Sequence, residues 1–269
     1  INFKNPKGIE LAKRVVGLSD IAAENFRPGV LKRLGLGYDE LKAVKPDIVM
    51  VSVSASGQTG PDSDFAGYAP LFGAWGGLGY LTGYADGPPV EMRHVMDHTI
   101  GMNAAVGVMA ALHHRRRTGL GSYVDVSGRD VSSSLAGEAL LQAACGQTPA
   151  RMGNEQPGAA PHGLYETRDE DRWLSIAVTT DDHWRRFAAV IGKPDLAKDP
   201  KFATGAQRYA ARAQLDEIAA AWAKTQSGES AQEMLQRAGV PAHLSWNIRD
   251  VVEDPHLRAR KMVFDVSDN

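Results

Sequence analysis

Ile48-Val49-Met50-Val51-Ser52-Val53 is a six-residue, β-branched, apolar run with no alternation of polar and apolar residues. Such a run predicts a strand covered on both faces, as in a parallel sheet flanked by helices. The neighbouring segments agree. Asn5-Pro6 reads as the N-cap and first residue of a helix ending near Gly17, with Ile9, Leu11, Val15 and Val16 on its buried side. Asp20–Glu24 predicts a short buried strand, Asn25–Gly29 a turn, and Val30–Leu34 and Tyr38–Val44 helices. Strand, helix and buried strand in this order predict an α/β fold with a parallel sheet. Ser56–Asp64 (SGQTGPDSD) is then a polar loop at the carboxyl end of the strand, where open α/β sheets bind ligands.

Further along, Ala69–Leu81 is apolar and rich in small residues, and Gly83–Pro89 is a loop. The spacing predicts one long helix over His98–Arg117, a strand over Tyr123–Val126 and a helix over Arg129–Ala144. Arg115, Arg116 and Arg117 fall in the last turn of the long helix and complement its dipole. Gln147–His162 is a Gly/Pro-rich linker. Beyond it are a strand at Trp173–Val178, helices near Asp182–Ile191, Gln207–Lys224 and Ser230–Ala238, and short strands at Val240–Leu244 and Met262–Val266. The domain reading is a large domain over 1–146, a linker over 147–165, a small domain over 166–245 and a return segment over 246–269.

The chain has 269 residues, 30 Lys+Arg against 32 Asp+Glu, and a net charge of −2. That balance gives no electrostatic reason for binding nucleic acid or an anionic membrane. No apolar run reaches the ~20 residues of a membrane span. One cysteine, Cys145, excludes an internal disulfide and a Cys-based metal cluster and suits a reducing, cytoplasmic setting. In an apolar helix it reads as buried and inert. The sequence opens on Ile1 with no signal peptide and no initiator Met, so residue 1 is not expected to be the start of the gene product.

Asp97 is the leading chemical candidate. It immediately precedes the long predicted helix, where Asp is a preferred N-cap. The same place favours an ionised carboxylate, which can serve as a nucleophile. Gly101, Ala104, Ala105, Gly107, Ala110 and Ala111 behind it would let neighbouring backbone approach closely. His94 and His98 have the i, i+4 spacing of helical metal ligands, but no Glu follows the first, and polar histidines are the plainer reading. Tyr38 and Lys42 match a Tyr-x-x-x-Lys pair without a Gly-rich phosphate turn before it, so Tyr38 reads as packing and Lys42 as solvated. Gly73, Gly76, Gly77 and Gly79, mixed with Phe72, Trp75, Leu78 and Tyr80, read as close packing. Asp181 and Asp182 read as cap and first-turn residues.

Several segments, taken in order, resemble the class III CoA-transferase family (the CaiB–BaiF group). They are Glu24-Asn25-Phe26-Arg27-Pro28-Gly29 running to Gly35, Ser56-Gly57-Gln58-Thr59-Gly60-Pro61, Gly67-Tyr68, Leu81-Thr82-Gly83, Asp97, Arg117–Gly121, Val124–Ser127, Pro161–Tyr165 and Trp173–Val178. The resemblance implies a Rossmann-like large domain with a parallel sheet, a smaller α+β domain and an interlocked dimer. It implies a CoA-transferase in which Asp97 attacks an acyl-CoA thioester, passing through an aspartyl anhydride and an aspartyl-CoA thioester to a carboxylic acid acceptor. Phe26, Arg33, Leu34 and Tyr68 would bind coenzyme A, and Gly153–Gly158 would supply backbone donors to the oxyanions. No metal and no permanently bound cofactor is implied; the CoA thioester is a substrate. A racemase branch of the family has His where this chain has Tyr68, which favours transfer. Relatives also begin earlier, with a strand, turn and helix, so the implied partner is a second copy or a missing N-terminal segment. A non-catalytic CoA-transferase-like subunit or fragment is the opposing reading.

Overall fold

The computed structural model describes residues 1–92 and 95–266. They fall into two compact units, residues 1–153 and the residues from 154 onward.

In the first unit, α1 (Pro6–Gly17) starts at Asn5, whose side chain accepts a hydrogen bond from the Lys7 N–H at 3.0 Å. Its buried stripe is Ile9, Ala12 and Val16, while Leu11 and Val15 are about half exposed, contrary to expectation. Then come β1 (Ile21–Glu24), α2 (Val30–Arg33), α3 (Tyr38–Val44) and β2 (Val49–Ser54). The expected small-residue segment forms two helices, α4 (Ala69–Trp75) and α5 (Leu78–Leu81). The long helix is α6 (Val95–Thr118), followed by β3 (Ser122–Ser127), α7 (Gly128–Leu135) and α8 (Gly137–Ala144). Where one helix was expected over Arg129–Ala144, the chain breaks at Ala136, which is buried and departs from helical backbone angles.

The sheet is parallel with order β1-β2-β3. Central β2 is buried nearly throughout, as its apolar run requires. One face rests on α1 and α3 through Ile48, Met50, Ala12, Leu36 and Leu41. The other rests on α4, α6 and α7 through Val51, Val126, Phe72, Met96, Ile100 and Val131. β1 departs from the expectation of a buried strand. It pairs only with β2 among the described residues, and Ile21 is 38% exposed. Gly76 fits the close-packing reading, because a Cβ there would lie 2.3 Å from the Ser132 side chain of α7.

α6 is longer and more apolar than the sequence reading allowed. By length and composition it could cross a membrane. Met96, Ile100, Ala104 and Ala111 form its buried stripe, whereas Met102, Val106 and Met109 face outward and are exposed. Arg115 does more than complement the dipole. Its Nη2 donates to Asp20 Oδ1 at 2.9 Å and its Nη1 to the Asp20 carbonyl at 3.2 Å, tying the end of α6 to the start of β1. Cys145 corrects another expectation: it is exposed, at the end of a helix with no buried residue.

The second unit holds an antiparallel sheet of order β4-β5-β6, formed by His162–Glu166, Trp173–Ala177 and Ala242–Leu244. β4 occupies residues at the end of the segment read as linker. Around the sheet lie α9 (Asp181–Val190), α10 (Gly205–Ala210), α11 (Arg212–Ala223) and α12 (Gly228–Arg237). α10 opens with a Thr204–Gln207 capping box, and Ala211, whose backbone angles depart from helical values, separates it from α11 where one helix was expected. α13 (Ile248–Glu253) and α14 (Pro255–Ala259) follow; neither was expected, and the strand expected at Met262–Val266 is absent. Phe187, Trp184, Leu174, Ile176, Leu215 and Leu235 are buried in one cluster. Arg208, 1% exposed, is held there by Asp181 Oδ1, to which its Nη2 donates at 2.6 Å. Asp181 therefore anchors a buried cation, and Thr180 is the N-cap. Asp182 binds Arg185 and Arg186, which hold its carboxyl below the usual carboxylate range.

Candidate active site

The carboxyl ends of the strands open into a cavity of about 620 Å³. The turn after β1 contributes Asn25, Phe26, Arg27 and Pro28, and the end of β2 contributes Val53, Ser54 and Ala55. Phe65–Tyr68 and Phe72 come from the entry to α4 and from α4 itself; Asp97, Ile100 and Gly101 come from the first turns of α6. Three sequence candidates, Phe26, Tyr68 and Asp97, thus line one cavity. Tyr68 is the N-cap residue of α4. Asp97 is exposed and is the third residue of α6, inside the first turn rather than at the expected cap position that precedes the helix. A carboxylate there still meets the positive end of the helix dipole.

Arg33 and Leu34 do not line this cavity. Arg33 is exposed at the end of α2, with Nη1 3.1 Å from where a Cβ on Gly29 would stand. Gly29 has a φ of +74°, so glycine suits both the backbone and the space. Leu34 is partly buried and packs on the cluster beneath α1 and α3. His98 is exposed, and His94 lies outside the described residues. In the segment expected to supply backbone donors, the Gly153 N–H donates to the Gly83 carbonyl at 2.8 Å within the first unit. In the second unit Glu155 pairs with Arg212 at 2.7 Å.

The Asn25–Gly29 turn that lines the cavity is stitched to the Ser56–Asp64 loop by polar contacts that sequence reasoning missed. The Phe26 N–H donates to Glu24 Oε2 at 2.8 Å, and Arg27 Nη2 donates to the Asp64 carbonyl at 3.1 Å. The Gly29 N–H reaches Gln58 Oε1 at 3.4 Å, while the Gln58 N–H donates to Asp125 Oδ2 at 2.9 Å. Arg129 fastens the far end, with Nη1 on Asp62 Oδ2 at 2.7 Å and its N–H on the Ala55 carbonyl at 2.9 Å. Glu24, Ser52 and Asp125 stand in register across the three strands. That row of polar residues in apolar strands was the available signal.

A second cavity of about 380 Å³ lies beside this row, lined among others by Glu24, Lys32, Tyr38, Ser52, Gln58 and Tyr123. Tyr38 stacks on Tyr123 at 5.3 Å between ring centroids, and Lys42 Nζ lies 5.8 Å from the Tyr38 ring. Burial, with Asp125 and Glu24 nearby, pushes the Tyr123 phenol upward despite its hydrogen bond with Ser52.

The order of these segments is that of a known family. The sequence matches CoA-transferase family III over residues 1–269. The chain belongs to that family. It is 37% identical over 273 residues to the succinyl-CoA–D-citramalate CoA-transferase of Chloroflexus aurantiacus, matching 100% of this chain and 67% of that protein. It is 33% identical to the succinyl-CoA–L-malate CoA-transferase beta subunit of the same organism, over 97% of this chain and 65% of that subunit. A CaiB/BaiF family protein from Brucella suis superposes with a TM-score of 0.86 at 33% identity, over 97% of this chain and 69% of that one. The chain therefore spans between about a third and about two thirds of the length of the curated relatives it matches.

Proposed function

We propose that this chain carries the nucleophile and part of the thioester-binding wall of a CoA-transferase that moves CoA from an acyl-CoA to a carboxylic acid. The supporting observation is that Asp97, on the first turn of α6, shares one cavity with Phe26 and Tyr68. In this reading an Asp97 carboxylate oxygen attacks the thioester carbonyl carbon. The C–S bond breaks, CoA leaves as thiolate, and an acyl–aspartyl anhydride remains. The thiolate then attacks the aspartyl carbonyl and releases the acyl group as a free carboxylate. An acceptor carboxylate attacks the resulting aspartyl-CoA thioester; the returning thiolate takes its acyl group, restoring Asp97. Covalent catalysis divides one difficult exchange into easier steps. Incubating the purified protein with succinyl-CoA and a second carboxylic acid should yield the second acid's CoA thioester. Wash-out of the α-deuterium label from a 2-methylacyl-CoA, without exchange of CoA, would instead support racemisation. Absence of both reactions would support the non-catalytic reading.

Arg33 belongs to the same proposal as a bidentate partner for a CoA phosphate. Its exposure at the end of α2 leaves the guanidinium open to such a ligand. Arg33→Ala should raise KM for the CoA thioester about tenfold, the effect of losing one charge-assisted contact, and leave kcat within a factor of two. An unchanged KM removes Arg33 from the site.

Assembly follows from α6. The middle of α6, from Ala104 to Leu112, is apolar on every side, a pattern that belongs in an interior, yet Val106 and Met109 are exposed, as are Met102 one turn earlier and Leu140 and Leu141 of α8. The proposal is that a second copy covers these faces in an interlocked dimer, with residues 1–146 in the large domain and 166–245 in the small one. Light scattering should give twice the mass of the chain; a monodisperse, cooperatively melting monomer would refute this.

A further inference from the structure

Buried hydroxyl and amide groups without a hydrogen-bond partner are rare in folded chains. Among the described residues, three such atoms fall on alternate residues of one short segment: Ser54 Oγ, Ser56 Oγ and Gln58 Nε2. Their surroundings differ. Gln58 lines the smaller cavity; its Oε1 accepts from the Gly29 N–H and its own N–H donates to Asp125. Ser56 lines neither cavity described above. Ser54 ends the central strand, is 9% exposed, and lines the cavity that also holds Asp97. Ser132, also buried and unpartnered, faces the tight contact at Gly76 and lines neither cavity. Strand geometry does not require a hydroxyl at position 54: its in-register neighbour Ser127 uses its own Oγ to cap α7, accepting from the Asp130 N–H at 3.2 Å.

We infer that Ser54 is a catalytic hydrogen-bond donor whose partner arrives with the substrate: the acyl carbonyl oxygen that gains negative charge when Asp97 attacks. The inference rests on the reaction proposed above. When the Asp97 oxygen bonds to the acyl carbon, the carbonyl π electrons move onto oxygen. A donor placed at that oxygen lowers the barrier, and no proton changes hands. Serine has three staggered χ1 positions, so its hydroxyl can turn toward the cavity with no backbone movement. A hydroxyl left unpaired in the resting protein and paired in the transition state contributes to turnover rather than to uniform binding.

The test compares Ser54→Ala and Ser54→Cys, which keeps the side-chain shape with a weaker donor, with Asp97→Ala in the purified protein. Ser54→Ala should lower kcat for CoA transfer about 10²-fold and leave KM within a factor of two. Its Tm should be unchanged or higher, because an unsatisfied buried group has been removed. Ser54→Cys should fall between wild type and Ser54→Ala in kcat. Wild-type turnover in Ser54→Ala, with Asp97→Ala inactive, overturns the role of Ser54 and leaves the nucleophile standing. Turnover in Asp97→Ala removes the underlying reaction as well. Loss of kcat together with a lowered Tm in both Ser54 variants assigns the hydroxyl a structural role and overturns the inference. If Ser54→Ala does not fold, the same criteria apply to Ser54→Cys.

Discussion

Asp97→Ala is expected to reduce CoA transfer by about 10³-fold or more, the scale on which removal of a covalent nucleophile acts. Fold stability should barely change. Asp97 is exposed in the first turn of α6 and is not its N-cap, so its removal costs only the dipole contact, about 0.3–1 kcal/mol. Activity and stability should therefore separate cleanly. Hydroxylamine added during turnover should yield an acyl hydroxamate from the wild-type protein and none from the variant. Asp97→Asn, which keeps the shape without the nucleophile, should behave alike. A variant that turns over at the wild-type rate would transfer the nucleophile's role to another group in the cavity.

The second large effect is on stability. Phe187 of α9 is 0% exposed, with ring centroids 6.1 Å from Trp184 and 6.4 Å from Trp222. Phe187→Ala removes the ring from a cluster that includes Leu174, Ile176, Leu215 and Leu235. The lost transfer energy and the cavity left behind should together cost about 3–5 kcal/mol. Trp184 and Trp222 provide a direct fluorescence probe of denaturant unfolding. A loss below about 1 kcal/mol would mean that the cluster collapses around the gap, contrary to the rigid packing expected of a core.

What the sequence disclosed followed burial. Ile48–Val53 showed the central strand because both its faces are covered, and α1 was readable because Asn5 and Pro6 mark its start. Errors arose where burial depends on something besides the local pattern. Asp20–Glu24 is apolar enough for an interior strand but has one pairing neighbour among the described residues, and Cys145 ends an apolar helix that lies exposed. Local backbone breaks set other boundaries: Ala211 divided α10 from α11, and Ala136 divided α7 from α8. Asp97, named from its place at a helix start, and Phe26 and Tyr68, named from the order of motifs, line one cavity. The links from Gln58 to Gly29 and Asp125 join residues distant in sequence, and periodicity carries no record of such pairs.

Those links bear on how substrate preference could be re-engineered. The loop Ser56–Asp64 shares fastenings with the Asn25–Gly29 turn, Asp125 and Arg129, so it is not an exchangeable cassette. Grafting it alone from a relative would separate each fastening from its counterpart. The transplantable unit is discontinuous: two loops, one strand residue and one helix residue, which must move together.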